Sequence, residues 1–139
     1  MTKPDELEQV EILLVEDDPE DAEATVRALR ERNFASQLHW VKDGEEALEY
    51  LFANGRYAGR NRNHPPKLVL LDIKMPKVDG FEVLRRIKTS ELKSIPVVVM
   101  TSSSEESDVL ESYRLGVDSY LVKPVRCEAF LDTVAKIGL

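Results

Sequence analysis

Short apolar runs alternate along the chain with longer segments of helical periodicity. Three of these runs have Leu, Ile or Val at nearly every position, which is typical of strands covered on both faces: Glu11–Val15, Lys67–Leu71 and Pro96–Met100. A shorter run covers Asp118–Val122, and Ser36–Lys42 alternates apolar and polar residues as an edge strand does. The pattern predicts an α/β fold in which five strands form a parallel sheet wrapped by helices.

A helix is predicted after each strand, from end signals and from apolar residues that recur on one face. Asp18 is an N-cap residue followed by proline, and Asp43 with Glu46 three residues later matches a capping box. The second helix should end near Asn54 and the fourth at Gly116. The apolar positions that mark the five helices, in order, are Ala22, Val26 and Leu29; Ala47, Leu48 and Leu51; Phe81, Leu84 and Ile87; Val109, Leu110 and Tyr113; and Phe130, Val134 and Ile137.

Length and composition are those of one soluble globular unit, and we expect a single domain over residues 1–139. Hydrophobic residues make up 42% of the chain and charged residues 32%, and no apolar run is long enough to cross a bilayer. The N-terminus lacks the apolar core of a secretion signal, and the lone Cys127, expected to be buried, cannot form an internal disulfide. We therefore expect a cytoplasmic protein that does not contact membranes.

The acidic balance of the chain limits its partners. A net charge of -7 predicts repulsion from phosphate backbones, so direct binding to nucleic acid is not expected. No repeat, low-complexity tract or linker suggests an appended output domain. One segment departs from this balance, because the long connection from Asn54 to Lys67 has no acid. Its basic residues indicate either a solvated loop or a contact for a partner, and they are Arg56, Arg60, Arg62 and Lys67.

Polar residues follow four of the predicted strands. In an open parallel sheet, ligands bind outside the carboxyl ends of the strands, so these residues should meet in one crevice. They are Glu16, Asp17 and Asp18 after the first strand, Asp72 after the third, Thr101 after the fourth and Lys123 after the fifth. Taken singly, Asp18 and Thr101 could be helix caps and Lys123 a surface charge. Clustered carboxylates repel one another unless a cation shares the site, and hard oxygen ligands favour Mg2+.

A carboxylate, a metal ion, a hydroxyl and a lysine are together suited to phosphoryl transfer. The transition state spreads negative charge over three oxygens, which Mg2+, Lys123 and Thr101 could stabilise. A carboxylate can attack phosphorus to form an acyl phosphate. Asp72 is the candidate nucleophile, because it ends the most continuous apolar strand and should therefore lie at the centre of the sheet.

At these residues the chain resembles the receiver domains of bacterial response regulators. The segments that carry the resemblance are VEDD at residues 15–18, LLDIKMPKVDG at 70–80, VVVMTSS at 97–103 and SYLVKPV at 119–125. It implies a flavodoxin-like (βα)5 fold, a doubly wound parallel sheet of strand order 2-1-3-4-5. It also implies roles for individual residues: Asp72 as phosphoacceptor, Glu16, Asp17, Asp72 and the Lys74 backbone carbonyl around Mg2+, Thr101 and Lys123 beside the phosphoryl group, Thr101 and Tyr120 as a coupled switch, and a cis peptide between Lys123 and Pro124.

The resemblance also implies a function and partners. A receiver accepts a phosphoryl group from a sensor histidine kinase and changes the face formed by its fourth helix, fifth strand and fifth helix, through which many receivers form homodimers. It is not an enzyme beyond its own phosphorylation and dephosphorylation. The long basic loop and the phrase IPVVVMTSS are similar to small regulators that partner bacterial and cyanobacterial phytochromes. Lys74 departs from the family, in which smaller or neutral side chains are common at this position.

Two other functions use similar residues. Haloacid-dehalogenase-type phosphohydrolases combine a strand-end Asp nucleophile with Thr or Ser, Lys and magnesium, but their Asp-x-Asp motif follows the first strand, where this chain has Glu16, Asp17 and Asp18. The chain is also short for their cap domain. A pseudo-receiver would use the same fold for interaction without phosphorylation, although all the catalytic positions are filled here. Formation of an acyl phosphate distinguishes a receiver from both.

Overall fold

A five-stranded parallel sheet with helices on both faces forms the domain in the computed structural model, which describes residues 11–75, 78–102 and 106–138. The strand order is β2-β1-β3-β4-β5, and the doubly wound flavodoxin-like arrangement is confirmed. The elements in chain order are β1 Ile12–Val15, α1 Pro19–Arg30, β2 Leu38–Val41, α2 Gly44–Phe52, a short 3-10 turn Gly55–Tyr57, β3 Leu68–Asp72, α3 Gly80–Lys88, β4 Val97–Thr101, α4 Glu106–Arg114, β5 Ser119–Val122 and α5 Cys127–Lys136. Residues 1–10, which the predicted domain includes, lie outside the described part.

The sheet buries its three central strands on both faces, as their continuous apolar runs predict. Every residue of β1, β3 and β4 is buried. Alternate side chains supply two cores: Leu13 and Val15 pack on the side of α2 and α3, whereas Ile12 and Leu14 pack on the side of α1 and α5. β2 and β5 are the two edges of the sheet, so the prediction of an edge strand in Ser36–Lys42 is also confirmed.

Strand register brings the carboxyl ends of the central strands together. Val15 at the end of β1 is paired with Leu71, one residue before Asp72. Asp72 is paired with Met100, one residue before Thr101. The residues that follow these strands therefore share one edge of the sheet, which is the geometry that the strand-end argument requires.

The helix caps predicted for α1 and α2 are present. The Asp18 side chain accepts a hydrogen bond from the backbone N–H of Glu20 at 2.9 Å. The Asp43 side chain accepts one from Glu46 N–H at 2.8 Å. The Glu46 carboxylate in turn reaches back beyond the start of the helix, where it accepts from Lys42 N–H at 3.0 Å. Both helices are thus held at their starts by the expected side chains.

The predicted apolar stripe of α4 is wrong at two of its three positions. Leu110 is 59% exposed and Tyr113 47% exposed, whereas Ser112 is fully buried. Ser112 can occupy the inner face because its hydroxyl donates to the Asp108 carbonyl at 2.9 Å and so loses no hydrogen bond on burial. Val109 and Leu115, three residues on either side, are partly buried beside it. Apolar residues of α4 therefore lie on the protein surface.

Three arginines of the basic loop contact groups of the same domain. Arg56 forms a salt bridge with Glu49 at 3.0 Å, and Arg62 forms one with Glu91. Arg60 donates to the Tyr50 carbonyl at 2.8 Å and lies 4.1 Å from the centre of the Tyr50 ring. These contacts support a structural role for the loop, which they fasten to α2 and to the turn after α3. Among the described helices, none is both long enough and apolar enough to span a membrane.

Candidate functional site

Three carboxylates meet at the carboxyl edge of the sheet. Glu16 follows β1 and is fully buried, Asp72 ends β3 and is 6% exposed, and Asp17, the residue after Glu16, is only partly buried. One oxygen from each lies within 4.8 Å of the others. The structure therefore brings together the three side chains that were predicted as metal ligands. Asp18 is not part of this cluster, since its side chain caps α1.

Lys123 completes the cluster from the end of β5. Its ammonium lies 2.6 Å from Glu16 Oε1, 3.3 Å from Asp72 Oδ2 and 3.2 Å from Asp21 Oδ2. Lys123, whose side chain is 11% exposed, is thus a partner of the acidic site and not a surface charge. The contact with Asp21 was not predicted from the sequence. The available signal was an acid in the first turn of the helix that follows the acidic cluster, but the direction of its side chain depends on how α1 packs.

The close approach of these charged groups and their burial shift the pKa values of the site residues. Burial and a hydrogen bond with Asp72 raise the pKa of Glu16 to about 8, although Lys123 opposes this shift. Burial and the charge of Asp72 also raise the pKa of Asp17. Burial alone would lower the pKa of Lys123, but the hydrogen bond to Glu16 and the charge of Asp72 outweigh burial and raise it. One lysine does not neutralise three close carboxylates, so these residues fit a divalent cation with oxygen ligands.

Backbone contacts hold the acidic residues in place. The indole N–H of Trp40 donates to the Glu16 carbonyl at 2.8 Å, which fixes the chain at the end of β1. The start of α3 packs directly on the backbone of Asp72, because a Cβ atom at Gly80 would lie 2.3 Å from the Asp72 carbonyl oxygen. Only glycine allows this close approach. This close packing against α3 therefore fixes the backbone that carries the Asp72 carboxylate.

Thr101 and the turn after β5 form the remaining side of the crevice. Thr101 ends β4 and is buried, and its carbonyl accepts a 2.7 Å hydrogen bond from Lys123 N–H. The peptide between Lys123 and Pro124 is cis, the isomer that the resemblance implies. The hydroxyl-bearing residue and the lysine thus come from adjacent strand ends, as predicted.

Lys74 lies at the mouth of the crevice. Its backbone N–H donates to Asp72 Oδ1 at 3.3 Å, while its ammonium lies 3.5 Å from Asp108 Oδ2 on α4. The side chain is 64% exposed. Its ion pair with α4 was not predicted, because the sequence does not show which helix faces the loop after β3.

Tyr120 lies on the surface of β5 beside other apolar residues. It is 37% exposed, and its ring meets that of Tyr113 edge to face, with centroids 6.4 Å apart. Leu110 and Val122 are also exposed large apolar residues. The four side chains form an apolar patch across α4 and β5, hereafter the α4-β5 patch.

Known proteins are similar to this chain in both sequence and fold. Residues 12–135 match the model of the response regulator receiver domain. The probable methanogenesis regulatory protein FilR2 of Methanothrix harundinacea is 44% identical over 127 residues, which are 91% of this chain and 79% of the relative. The response regulator Rcp1 of Synechocystis is 43% identical over 113 residues, 81% of this chain and 75% of Rcp1.

Solved structures give the same result. The bacteriophytochrome response regulator RtBRR has a TM-score of 0.85 at 46% identity, covering 94% of this chain and 78% of that chain. For the bacteriophytochrome response regulator AtBRR the TM-score is 0.83 at 47% identity, with 93% and 92% covered. The phosphorylated cyanobacterial phytochrome response regulator RcpA has a TM-score of 0.75 at 40% identity, covering 92% of this chain and 90% of that chain. The Mn2+-bound form of Rcp1 has a TM-score of 0.71 at 39% identity, with 91% of this chain and 89% of that chain covered.

Three observations indicate the same kind of protein. They are the strand order, the acidic site with its largely buried lysine at the strand ends, and the family match over nearly the whole chain. None of them favours a phosphohydrolase, whose Asp-x-Asp motif would need Asp18 in the site and not on a helix cap. The chain belongs to the family of response regulator receiver domains, the phosphorylation-dependent receivers of two-component signalling.

Proposed function

We propose that Asp72 is the phosphoacceptor of this receiver and that a sensor histidine kinase is the donor. The observation that carries the proposal is the position of Asp72, on the central strand of the sheet, beside two other carboxylates and 3.3 Å from the Lys123 ammonium. A carboxylate in this position can attack phosphorus while a cation partners the phosphoryl oxygens. The similarity to a phosphorylated regulator supports the same chemistry.

The chain's own residues have separate tasks in this reaction. An Asp72 oxygen forms the new bond to phosphorus as the bond from phosphorus to the donor histidine nitrogen breaks, and the donor imidazole keeps the electron pair. Lys123, already beside Asp72, pairs with a phosphoryl oxygen, and the Thr101 hydroxyl donates a hydrogen bond to another. Glu16 and Asp21 hold the Lys123 ammonium at the site until the phosphoryl group arrives.

Mg2+ is the proposed metal. Asp17 and Asp72 would bind it through their carboxylates, the Lys74 carbonyl would add a neutral ligand, and Glu16 would act through water. The metal supplies positive charge to the phosphoryl oxygens when it is bound. The crowded carboxylates with raised pKa values support a divalent cation, and the Mn2+-bound form of Rcp1 supports metal binding in a similar protein.

Phosphorylation by a small phosphodonor tests the acceptor. We expect incubation with acetyl phosphate and Mg2+, followed by borohydride trapping and mass spectrometry, to locate the modification on Asp72 alone. Asp72→Asn should carry no label, and Asp18→Asn should be labelled like the wild type, since asparagine also caps helices. Label on Asp17 or Asp18 would contradict the assignment, and release of phosphate from many small phosphoesters would favour a phosphohydrolase.

A bacterial phytochrome is the proposed kinase. The bacteriophytochrome and phytochrome response regulators among the similar structures support this choice. We place the reaction in the cytoplasm, with which the buried free thiol of Cys127 is compatible. Transfer of label from ATP through a panel of sensor kinases should be fastest from a phytochrome kinase. A faster transfer from an unrelated kinase would contradict this partner.

The signal is proposed to leave through α4, β5 and α5, by a homodimer on this face. The α4-β5 patch supports the proposal, because exposed apolar side chains that lie together mark interaction sites. Phosphorylation would bias an existing equilibrium between two arrangements of Thr101 and Tyr120. Thr101 is paired with Val122, two residues beyond Tyr120 on the adjacent strand.

A further inference from the structure

A salt bridge joins the loop after Asp72 to helix α4. The Lys74 ammonium lies 3.5 Å from Asp108 Oδ2, while the backbone N–H of the same lysine donates to the Asp72 carboxylate. Lys74 therefore contacts the proposed phosphoacceptor through its backbone and α4 through its side chain. Asp108 has no part in the proposed metal or phosphoryl site.

The two partners of this salt bridge differ in their freedom to move. The Asp108 side chain is 20% exposed and that of Lys74 64%. Asp108 Oδ2 is buried and accepts no hydrogen bond from the described residues. A buried carboxylate oxygen without hydrogen bonds is costly, so the nearby ammonium is important to it. Asp108 is fixed in the first turns of α4, whereas the lysine has a long flexible stem that reaches solvent.

We propose that Asp108 is a positioning residue that holds the Lys74 ammonium on α4 while Asp72 is unphosphorylated, and that Lys74 exchanges Asp108 for a phosphoryl oxygen when Asp72 is phosphorylated. This inference rests on the proposed role of Asp72. An aspartyl phosphate carries about one more negative charge than the carboxylate, so phosphorylation strengthens the competitor of Asp108. The same exchange releases the first turns of α4 from the acceptor loop, which is a direct route from the site to the α4-β5 patch.

The exchange has a consequence for the lifetime of the phosphoryl group. Water must approach phosphorus in line, opposite the Asp72 oxygen, through the mouth where Lys74 lies. An ammonium on a phosphoryl oxygen there stabilises the ground state and covers the approach path, and ground-state stabilisation does not accelerate hydrolysis. Asp108 withdraws the lysine from this position. The charge of Asp108 should therefore shorten the lifetime of the aspartyl phosphate, and Lys74 should lengthen it.

The test is a double-mutant cycle on the decay rate of aspartyl phosphate at saturating Mg2+. We expect Asp108→Asn to slow decay by about two- to five-fold, the range for an ion pair with one exposed partner, and Lys74→Asn to accelerate it. In the Lys74→Asn background, Asp108→Asn should have no effect. Asp108→Glu should restore decay toward the wild-type rate, because it keeps the charge.

A matched control comes from the same helix. Glu111 forms a salt bridge with Arg114 at 3.2 Å and not with the acceptor loop, so Glu111→Gln should leave the decay rate unchanged. The NMR signal of the Lys74 ammonium gives a second readout. We expect this signal to shift when the wild type is phosphorylated. In unphosphorylated Asp108→Asn it should already differ from that of the unphosphorylated wild type. A purely structural role of Asp108 would not produce this pattern.

The outcomes separate this inference from the proposed function. An equal effect of Asp108→Asn with and without Lys74, or no effect at all, would overturn the inference while leaving Asp72 as the acceptor. Absence of label on Asp72 in the wild type would overturn the proposed function, and the inference with it.

Discussion

Each residue of the site is defined by its place at the end of a strand. Asp72 and Thr101 end β3 and β4, and Glu16 directly follows β1. Their positions could be predicted from the sequence because strand ends in a parallel sheet converge on one edge. Asp21 and Asp108 could not be found in this way. Both lie on helices, where the direction of a side chain depends on how the helix packs.

The role of Asp17 can be tested without disturbing the fold. We expect Asp17→Asn to weaken Mg2+ binding by about tenfold or more, since even groups that only support metal ligands are often worth that much. Titration calorimetry measures the affinity. Asp18→Asn is the matched control, because Asp18 caps α1 and lies outside the carboxylate cluster. Undiminished affinity in Asp17→Asn would remove Asp17 from the site.

At the scale of elements, β2, α2 and the basic loop form one unit around His39. The His39 ring stacks on Tyr50 with centroids 4.5 Å apart and lies 3.0 Å from the Tyr57 hydroxyl. That hydroxyl donates to Glu46 at 2.6 Å, so its oxygen is left to accept from the histidine. Alternation in Ser36–Lys42 predicted the strand but not this unit, because its contacts join segments that are distant in the sequence.

The histidine makes the stability of this unit depend on pH. Burial lowers the pKa of His39 despite the nearby charges of Glu46 and Glu11. Below about pH 6.5 the unfolded chain binds a proton that the folded chain excludes, so the free energy of unfolding should fall as the pH drops from 7 through the lowered pKa of the folded state.

Urea unfolding at several pH values between 5 and 7.5 measures this dependence. We expect His39→Gln to lose part of the slope, and His64→Gln, which removes the other histidine of the chain at an exposed position, to keep it. The same slope in both variants would show that His39 does not contribute.

Helix α4 illustrates the limit of periodicity. Apolar positions normally mark the buried face of a helix, yet here Ser112 is buried while Leu110 and Tyr113 are exposed. The sequence shows that a helix is present but not which face it turns inward, since a serine that bonds its own helix can be buried without loss. Leu110 and Tyr113 belong instead to the α4-β5 patch, the face proposed as an interface.

On the scale of the whole molecule, the strand order could be predicted only through the family resemblance. Periodicity gave the number of strands and the central position of Asp72, while several orders of five parallel strands satisfy the same pattern. The observed order leaves β5 at an edge beside α4 and α5. Both the site and the α4-β5 patch follow from this arrangement.

Self-association through this face can be measured by sedimentation. We expect the wild type to form dimers, and Lys136→Glu, a charge reversal near the end of α5, to weaken them by about tenfold or more, because a glutamate would repel the acidic groups that a lysine attracts across the interface. Arg86→Glu, on the exposed side of α3, is the control and should sediment like the wild type. Unchanged dimers in Lys136→Glu would place the interface elsewhere.

The basic loop leads into the amino end of β3, whereas Asp72 lies at the carboxyl end of the same strand. Its arginines are fastened to the domain, yet between them a Cβ atom at Gly59 would meet nothing within 4 Å. Loops of this kind accept insertions because few contacts are lost. The domain thus keeps its reactive groups at one end of β3 and the open position Gly59 in the loop before the other end, so an insertion or a grafted peptide at Gly59 should leave the chemistry unchanged.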